Sequence, residues 1–375
     1  MSSELLTKAS RNRLSHSAAS KFMDCPTAWK FHYKHKLRTP LQSSALLFGS
    51  AIDAAVTAMM KGGDKTPEDV FAYEWRFQEI NGKGTYLPNA TNIVYANSDY
   101  DGELLHAEDI NTLKETYRVE NPLSEVDKIY DEKDALSYTG LPEDRKKLLN
   151  HANWLCLYRK GILMLKAVRE EILPNVEEVL GSQVYVKLEN QQGDSIIGYA
   201  DLVVKWKGYD VPIILDFKTS TREYDKDSVL TSPQLTLYVH ALSEQYKTRK
   251  AGFVIMYKTV MKNKTKHCLI CGHDGTGKQH KTCNNEASGK RCQGAWQITM
   301  NPKVRTQVII NDIPEQTENI VLDNMDYINQ AITNGVFHRN FSSCIKPWGK
   351  CPYYNLCYQG KDDELITLEM ETRRP

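Results

Sequence analysis

Two carboxylates and a lysine stand where apolar runs meet polar sequence. Asp201 lies in GYADLVV and Asp216 in IILDFKTS. An acid in such a place is costly to bury without a partner. A hard divalent cation, which takes oxygen ligands and keeps several waters, is a natural one. Lys218 follows Asp216 by two residues, and in a strand i and i+2 share a face, so the two side chains project together. Phe217 turns to the other face, leaving its backbone carbonyl free to serve the metal. Phosphodiester hydrolysis needs these parts: a metal that stabilises charge on the phosphate and lowers the pKa of water, and a lysine that orients the water or stabilises developing charge. A lone D-x-K is more often the ion-paired end of a surface strand. The second acid, the spacing and the helix that follows argue against that reading here.

Eight of the nine cysteines form two further groups and a singleton. Cys268, Cys271, Cys283 and Cys292 lie on Gly- and Lys-rich sequence, a C-x2-C followed by a C-x8-C wider than an ordinary knuckle. The pattern suits a zinc ribbon, with His267, His273 and His280 as competing ligands. Cys344, Cys351 and Cys357 are spaced like most of a second metal site, for zinc or an iron–sulfur cluster, and spacing alone does not select a fourth ligand. Cys156, inside LNHANWLCLYRK, reads as a small buried hydrophobe.

These residues must be positioned by regular elements. Residues 13–34 read as a turn and an amphipathic helix capped by Ser15 or Ser17. Residues 46–61 read as a second helix, and 145–175 as a long one ended by Pro174. The pattern then switches to three strands, QVYVKLE, SIIGYADLVVKW and VPIILDFKTS. The segment SPQLTLYVHALSEQY reads as a helix with a Ser-Pro start, and AGFVIMYKTV as a strand. The basic Cys-rich insertion follows, then a return strand AWQITMN, a helix over 314–335 and a Cys-rich tail. This order predicts an α/β core with a central mixed sheet. Residues 62–140 read as a helical or loop-rich insertion.

The run G-Y-A-D…D-F-K-T followed by Q-L-T-L-Y resembles the PD-(D/E)XK nuclease superfamily, and within it the RecB/AddB-type branch that includes the CRISPR-associated adaptation nuclease and phage exonucleases. The resemblance spans about 13–60 and 180–358. It implies a restriction-endonuclease-like fold: a central mixed β-sheet flanked by helices. It places catalytic roles on Asp201, Asp216 and Lys218, and on Gln234 and Tyr238, which are four apart on a helix and share a face, to contact the DNA backbone or brace the site. The family's G-x-x-x-H falls on Gly49 to Asp53, so Asp replaces His. Asp is also an oxygen ligand for Mg2+ or Mn2+, which favours retained activity, the alternative being a helix-surface carboxylate. In iron–sulfur members one N-terminal cysteine joins three near the C-terminus. The resemblance therefore implies Cys25, Cys344, Cys351 and Cys357 as ligands of a [4Fe–4S] cluster that staples the first helix to the tail.

The expected organisation is a helical region over 1–175, a nuclease core over 176–262 and 295–340, a zinc-binding-like insertion over 263–294 and an iron–sulfur tail over 341–375. The formal net charge is only +1. From Lys247 to Cys292, however, eleven Lys/Arg face two acids, Asp274 and Glu286, a local charge of +9 that leaves about −8 elsewhere. Such a field can hold a polyanion, making the insertion a DNA clamp, a grip on a protein partner or simply a solvated face. No apolar run of eighteen residues and no secretory leader are read, so a cytoplasmic protein (of the host, if viral) with no membrane partner is expected. No G-x-x-x-x-G-K-[ST] occurs, so no ATP motor is expected. The readings are a Mg2+- or Mn2+-dependent deoxyribonuclease, with exonuclease action on DNA ends or single strands in phage or bacterial recombination, replication or repair, or a degenerate DNA-binding module. Either could work with a helicase or a single-strand annealing protein.

Overall fold

The computed structural model describes residues 13–39, 42–80, 83–86, 93–94, 100–132, 141–189, 195–277, 279–287, 290–346, 349–363 and 365–367. The helical or loop-rich insertion expected over 62–140 lies partly outside the described residues. The principal elements are β1 (Arg13–Ser15), α1 (His16–Asp24), α2 (Ser44–Lys61), α3 (Pro67–Glu74), α4 (Glu143–Ala167), β2 (Val176–Glu189), β3 (Ser195–Trp206), β4 (Ile213–Ser220), α5 (Pro233–Tyr246), β5 (Lys250–Cys268), β6 (Trp296–Asp312) and α6 (Glu315–Thr333). The six strands form one mixed sheet, the expected architecture.

Its topology makes a fork. Strand β2 runs antiparallel along one edge of β3 from Val176 to Glu189. The other edge of β3 is shared. Residues 195–197 pair in parallel with β1, and 202–204 pair antiparallel with β4. Between them, at 198–201, β4 has left β3 and runs on beside β5 through Ser220. Helices α2 and α4 cover one face of the sheet around Phe48, Ile52, Trp154, Leu157, Leu215 and Phe217. Helix α5 covers the other around Ile214, Leu235, Val239 and Phe253. The alternation in IILDF sends Leu215 and Phe217 to the first face and Ile214 and Asp216 to the second.

The start of the chain differs from the single turn and helix expected. Arg13–Ser15 is a strand, and Ser15 caps α1 by accepting from the Ala18 N–H at 3.2 Å. The helix ends at Cys25, because Pro26 has no N–H to continue it and opens a new turn, Pro26–Trp29. Strands β5 and β6 are also longer than predicted. They continue past the sheet as a hairpin with Cys268 opposite Trp296, and a register shift between Met256 and Val260 marks the departure. The Cys-rich segment is therefore the tip of a long arm. Residues 107–117 and 122–132 are helices, and Leu113 and Val126 pack with Leu148, Leu149 and the buried Cys156, whose thiol burial pushes up to about 12.

Helix α2 is, by length and composition alone, long and apolar enough to cross a membrane. Its buried face, Phe48, Ala51, Ile52, Ala55 and Val56, is packed into the sheet core, as in the core helix of a globular domain.

Gly161 of α4 lies directly against the Phe71 ring of α3. A Cβ there would lie 2.1 Å from the Phe71 ring, which is fully buried between Phe48 and Tyr158. The Gly161→Ala variant should lose about 1–3 kcal/mol from overpacking, despite the roughly 1 kcal/mol that alanine favours a helix. Its urea or thermal midpoint should fall, and an unchanged or raised midpoint would contradict this packing.

Candidate active site

Asp201 and Asp216 are the first residues past the last β3–β4 pair, Leu202 with Leu215, and they stay close enough that the charge of Asp216 raises Asp201. Where the β3–β4 ladder stops, the Phe217 N–H needs another acceptor, and the Asp201 carboxylate supplies it at 2.8 Å. Lys218 lies on the same face as Asp216, with its Nζ 2.5 Å from Asp216 Oδ2. Gln234, in the first turn of α5, connects the group: its Nε2 donates to Asp216 Oδ1 at 2.8 Å and to Tyr238 Oη at 2.9 Å, and its Oε1 accepts from Lys218 Nζ at 3.0 Å. The i,i+4 pair thus braces the acid and the lysine from within the protein.

From the opposite side α2 contributes Asp53. Together with Gly49, Asp201, Asp216, Phe217, Lys218 and Gln234 it lines one cleft of about 360 Å3. A Cβ on Gly49 would meet nothing nearer than Thr219 Oγ1 at 3.7 Å. Packing does not demand this glycine; it leaves open space at the mouth of the cleft.

Two residues that the sequence reading missed join the group. Gln183 lies in β2 between Ser182, which pairs with Leu202, and Val184, which pairs with Ala200. Its Nε2 is 3.4 Å from Asp53 Oδ2, 3.4 Å from Asp201 Oδ1 and 3.5 Å from Thr57 Oγ1. Its backbone has φ +50°, a conformation a side chain rarely adopts. Such strain is retained where surrounding structure over-determines it. The second is His16, which opens α1 and shares a neighbouring cavity with Lys218 and Gln234. Burial, and then the Lys218 charge, lower its pKa.

The electrostatics fit a cation. Burial first, then the charge of Asp216, raise Asp53 to about 6; burial, then Asp216 and Asp53, raise Asp201 to about 8. Burial also raises Asp216, against the lowering effect of Lys218. Asp53 Oδ1 is buried and accepts no hydrogen bond, while the buried Asp216 Oδ2 faces the Lys218 ammonium at 2.5 Å. Three crowded carboxylates around a cleft, one of them with an oxygen left without a hydrogen bond, are a donor set suited to Mg2+ or Mn2+.

The two cysteine groups differ in geometry. The sulfurs of Cys268, Cys271, Cys283 and Cys292 all lie within 4.8 Å of one another, with no histidine among them. Cys25, Cys344, Cys351 and Cys357 form a looser neighbourhood, in which the Cys25 and Cys344 thiols add to the burial that raises Cys351 and Cys357. Ends of the chain meet there: Ser343 Oγ donates to Asp24 O at 2.8 Å, Lys346 Nζ pairs with Asp24 at 2.7 Å, and Trp29 stacks on Phe337.

A family model described as the PD-(D/E)XK nuclease superfamily matches residues 87–358, most of the chain. The protein belongs to this superfamily of metal-dependent, DNA-binding nucleases. The match includes Asp201, Asp216, Lys218, Gln234 and Tyr238, takes in part of the 62–140 stretch, and leaves Cys25 and Asp53 outside it. No curated protein matches. One solved structure, SSO0001, is 12% identical over 60% of this chain and 84% of that one, with a TM-score of 0.23, an overlap that carries no argument.

The raised carboxyls make stability depend on pH. In EDTA the folded chain keeps protons that an unfolded aspartate releases near its ordinary 3.8. The resulting stabilisation is complete below that value and is lost as pH rises through about 6 and then about 8. The thermal midpoint in EDTA should therefore fall more steeply from pH 5 to 8 in the wild type than in Asp201→Asn, and Mn2+ should reverse the fall at pH 8. Equal slopes in the two proteins would refute the assignment of these shifts.

Proposed function

We propose that the chain is a deoxyribonuclease of the RecB/AddB-type iron–sulfur branch, acting as an exonuclease on DNA ends. The observation that carries the reading is the convergence of Asp53, Asp201, Asp216 and Lys218 on one cleft. One or two Mg2+ or Mn2+ ions held by Asp53, Asp201 and Asp216, with the Phe217 carbonyl as an added ligand, would stabilise charge on the scissile phosphate and lower the pKa of water. Lys218 orients the attacking water and stabilises charge on the phosphate. Gln234 fixes Lys218 and Asp216 relative to one another, and Tyr238 holds Gln234. Gln183 ties Asp53 to Asp201, so that the replacement of histidine by Asp53 leaves the carboxylate set in register. The basic arm is suited to the phosphate backbone, whose contacts are electrostatic and salt-sensitive.

Cys25, Cys344, Cys351 and Cys357 would hold a [4Fe–4S] cluster. A cluster needs thiolates spread more widely than a single ion does, which suits their looser grouping. Its role would be to fasten α1, and with it the His16 side of the cavity beside the cleft, to the tail. The setting would be phage or bacterial DNA recombination, replication or repair in the cytoplasm, with a helicase or annealing protein as partner.

Anaerobically purified protein with Mn2+ should degrade end-labelled linear DNA and spare covalently closed circles. Lys218→Ala should lower the rate by about 100-fold or more, the scale for losing one preorganised charge-stabilising group, while leaving DNA binding intact. Equal cutting by both proteins would remove Lys218 from the reaction. Binding without cutting by both would favour a degenerate or partner-dependent module. Cutting of closed circles would replace exonuclease with endonuclease action.

A further inference from the structure

We infer that Cys268, Cys271, Cys283 and Cys292 close on a single Zn2+ ion, and that this ion, rather than a hydrophobic core, gives the tip of the β5–β6 arm its shape. The site is separate from the carboxylate cleft. Met256 of β5 lines that cleft, and Cys268 lies twelve residues further along the strand, about 40 Å at the usual rise.

The sulfur spacing fits one ion. Cys268 and Cys292 are 3.6 Å apart, as are Cys271 and Cys283. Tetrahedral Zn–S bonds of about 2.3 Å set sulfurs roughly 3.8 Å apart, whereas a disulfide would bring two to about 2.05 Å. All four cysteines are unpaired. The C-x8-C spacing, too wide for an ordinary knuckle, is accounted for by the fold. Glu286–Ala287 pairs with Lys290–Arg291, and the Cys292 N–H donates to Asn285 O at 2.8 Å, which returns Cys292 to the group.

The backbone is arranged around the sulfurs. The Ile270 N–H points at Cys268 Sγ at 3.4 Å, and Cys283 N–H donates to Gly294 O at 2.9 Å. A Cβ on Gly294 would sit 2.5 Å from Cys268 Sγ, so only glycine admits the sulfur there. Gly272, just after Cys271, has φ +66°, the left-handed turn that carries the chain away from the ligand.

Little else could hold the tip together. Among the described residues of 263–301, the buried ones are Cys268, Gly275, Cys283 and Gly294, while Leu269 and Ile270 are 64% and 76% exposed. A unit this small without an apolar core depends on a staple, and metal binding then becomes its folding energy.

The test is metal analysis of the full chain, expressed with zinc available and dialysed against EDTA. One zinc per chain is expected in the wild type and in Cys344→Ser/Cys357→Ser, and less than a tenth in Cys271→Ser/Cys283→Ser. Hydrogen exchange in that last variant should accelerate at least tenfold over 264–300 and stay unchanged over 201–218. Should it fail to fold, titration of the wild type with a mercurial must release one zinc, read with a metallochromic dye, with the same localised loss of protection. Absence of zinc, iron in its place, zinc retained without Cys271 and Cys283, or zinc lost with Cys344 and Cys357 would each overturn the inference. So would exchange that remains protected after the zinc is gone.

Discussion

Three carboxylates held together away from bulk water repel one another, and the arrangement around the cleft is a response to that constraint. Each acid is given a different partial remedy. Asp201 accepts the amide that the diverging ladder leaves over. Asp216 is gripped by Gln234 and faces Lys218. Asp53 is reached by the amide of Gln183. None of these removes the mutual repulsion, and a divalent cation answers it directly. The sheet core, built from the fully buried Ile214, Leu215, Val203 and Val254, is what holds the acids at a distance that isolated chains would not tolerate.

Much of this was legible in the residues. The two-residue period of IILDFKTS puts Asp216 and Lys218 on one face, and the four-residue spacing of Gln234 and Tyr238 puts them on one side of a helix; both are local rules that tertiary packing left intact. The burial of Cys156 was readable for the same reason. Asp53 was reached only through the family resemblance, because nothing local to α2 says which face of that helix meets the sheet.

What stayed hidden depended on distant partners. Gln183 sits in a run that reads as a uniform strand, and its left-handed backbone has no compositional sign, since glycine is what such a φ would suggest. Arg13–Ser15 is too short to be recognised as a strand and becomes one because β3 offers an edge vacated by β4. The length of the β5–β6 arm was underestimated because its outer half, MKNKTKH, lacks the apolar alternation of a half-buried strand; cross-strand pairing alone keeps it extended. The same polarity explains why the tip has no core of its own.

The shared edge of β3 also bears on how the chain folds. β1 meets its partner residues 195–197 only after about 180 intervening residues have been made, and α1, directly attached to it, is held by Asn340, Ser343 and Lys346 at the other extreme of the sequence. Contacts of such separation are formed late, because the loop must close before they reward it. The cavity beside the cleft, lined by His16 and Lys346, is thus among the last parts to be put in place, while β2 to β5, which carry Asp201, Asp216 and Lys218, are near neighbours in sequence and can pair early. A chain of this design acquires its acidic centre first and the cavity beside it afterwards, so the order of synthesis itself delays completion of that cavity until the segment bearing Lys346 has emerged.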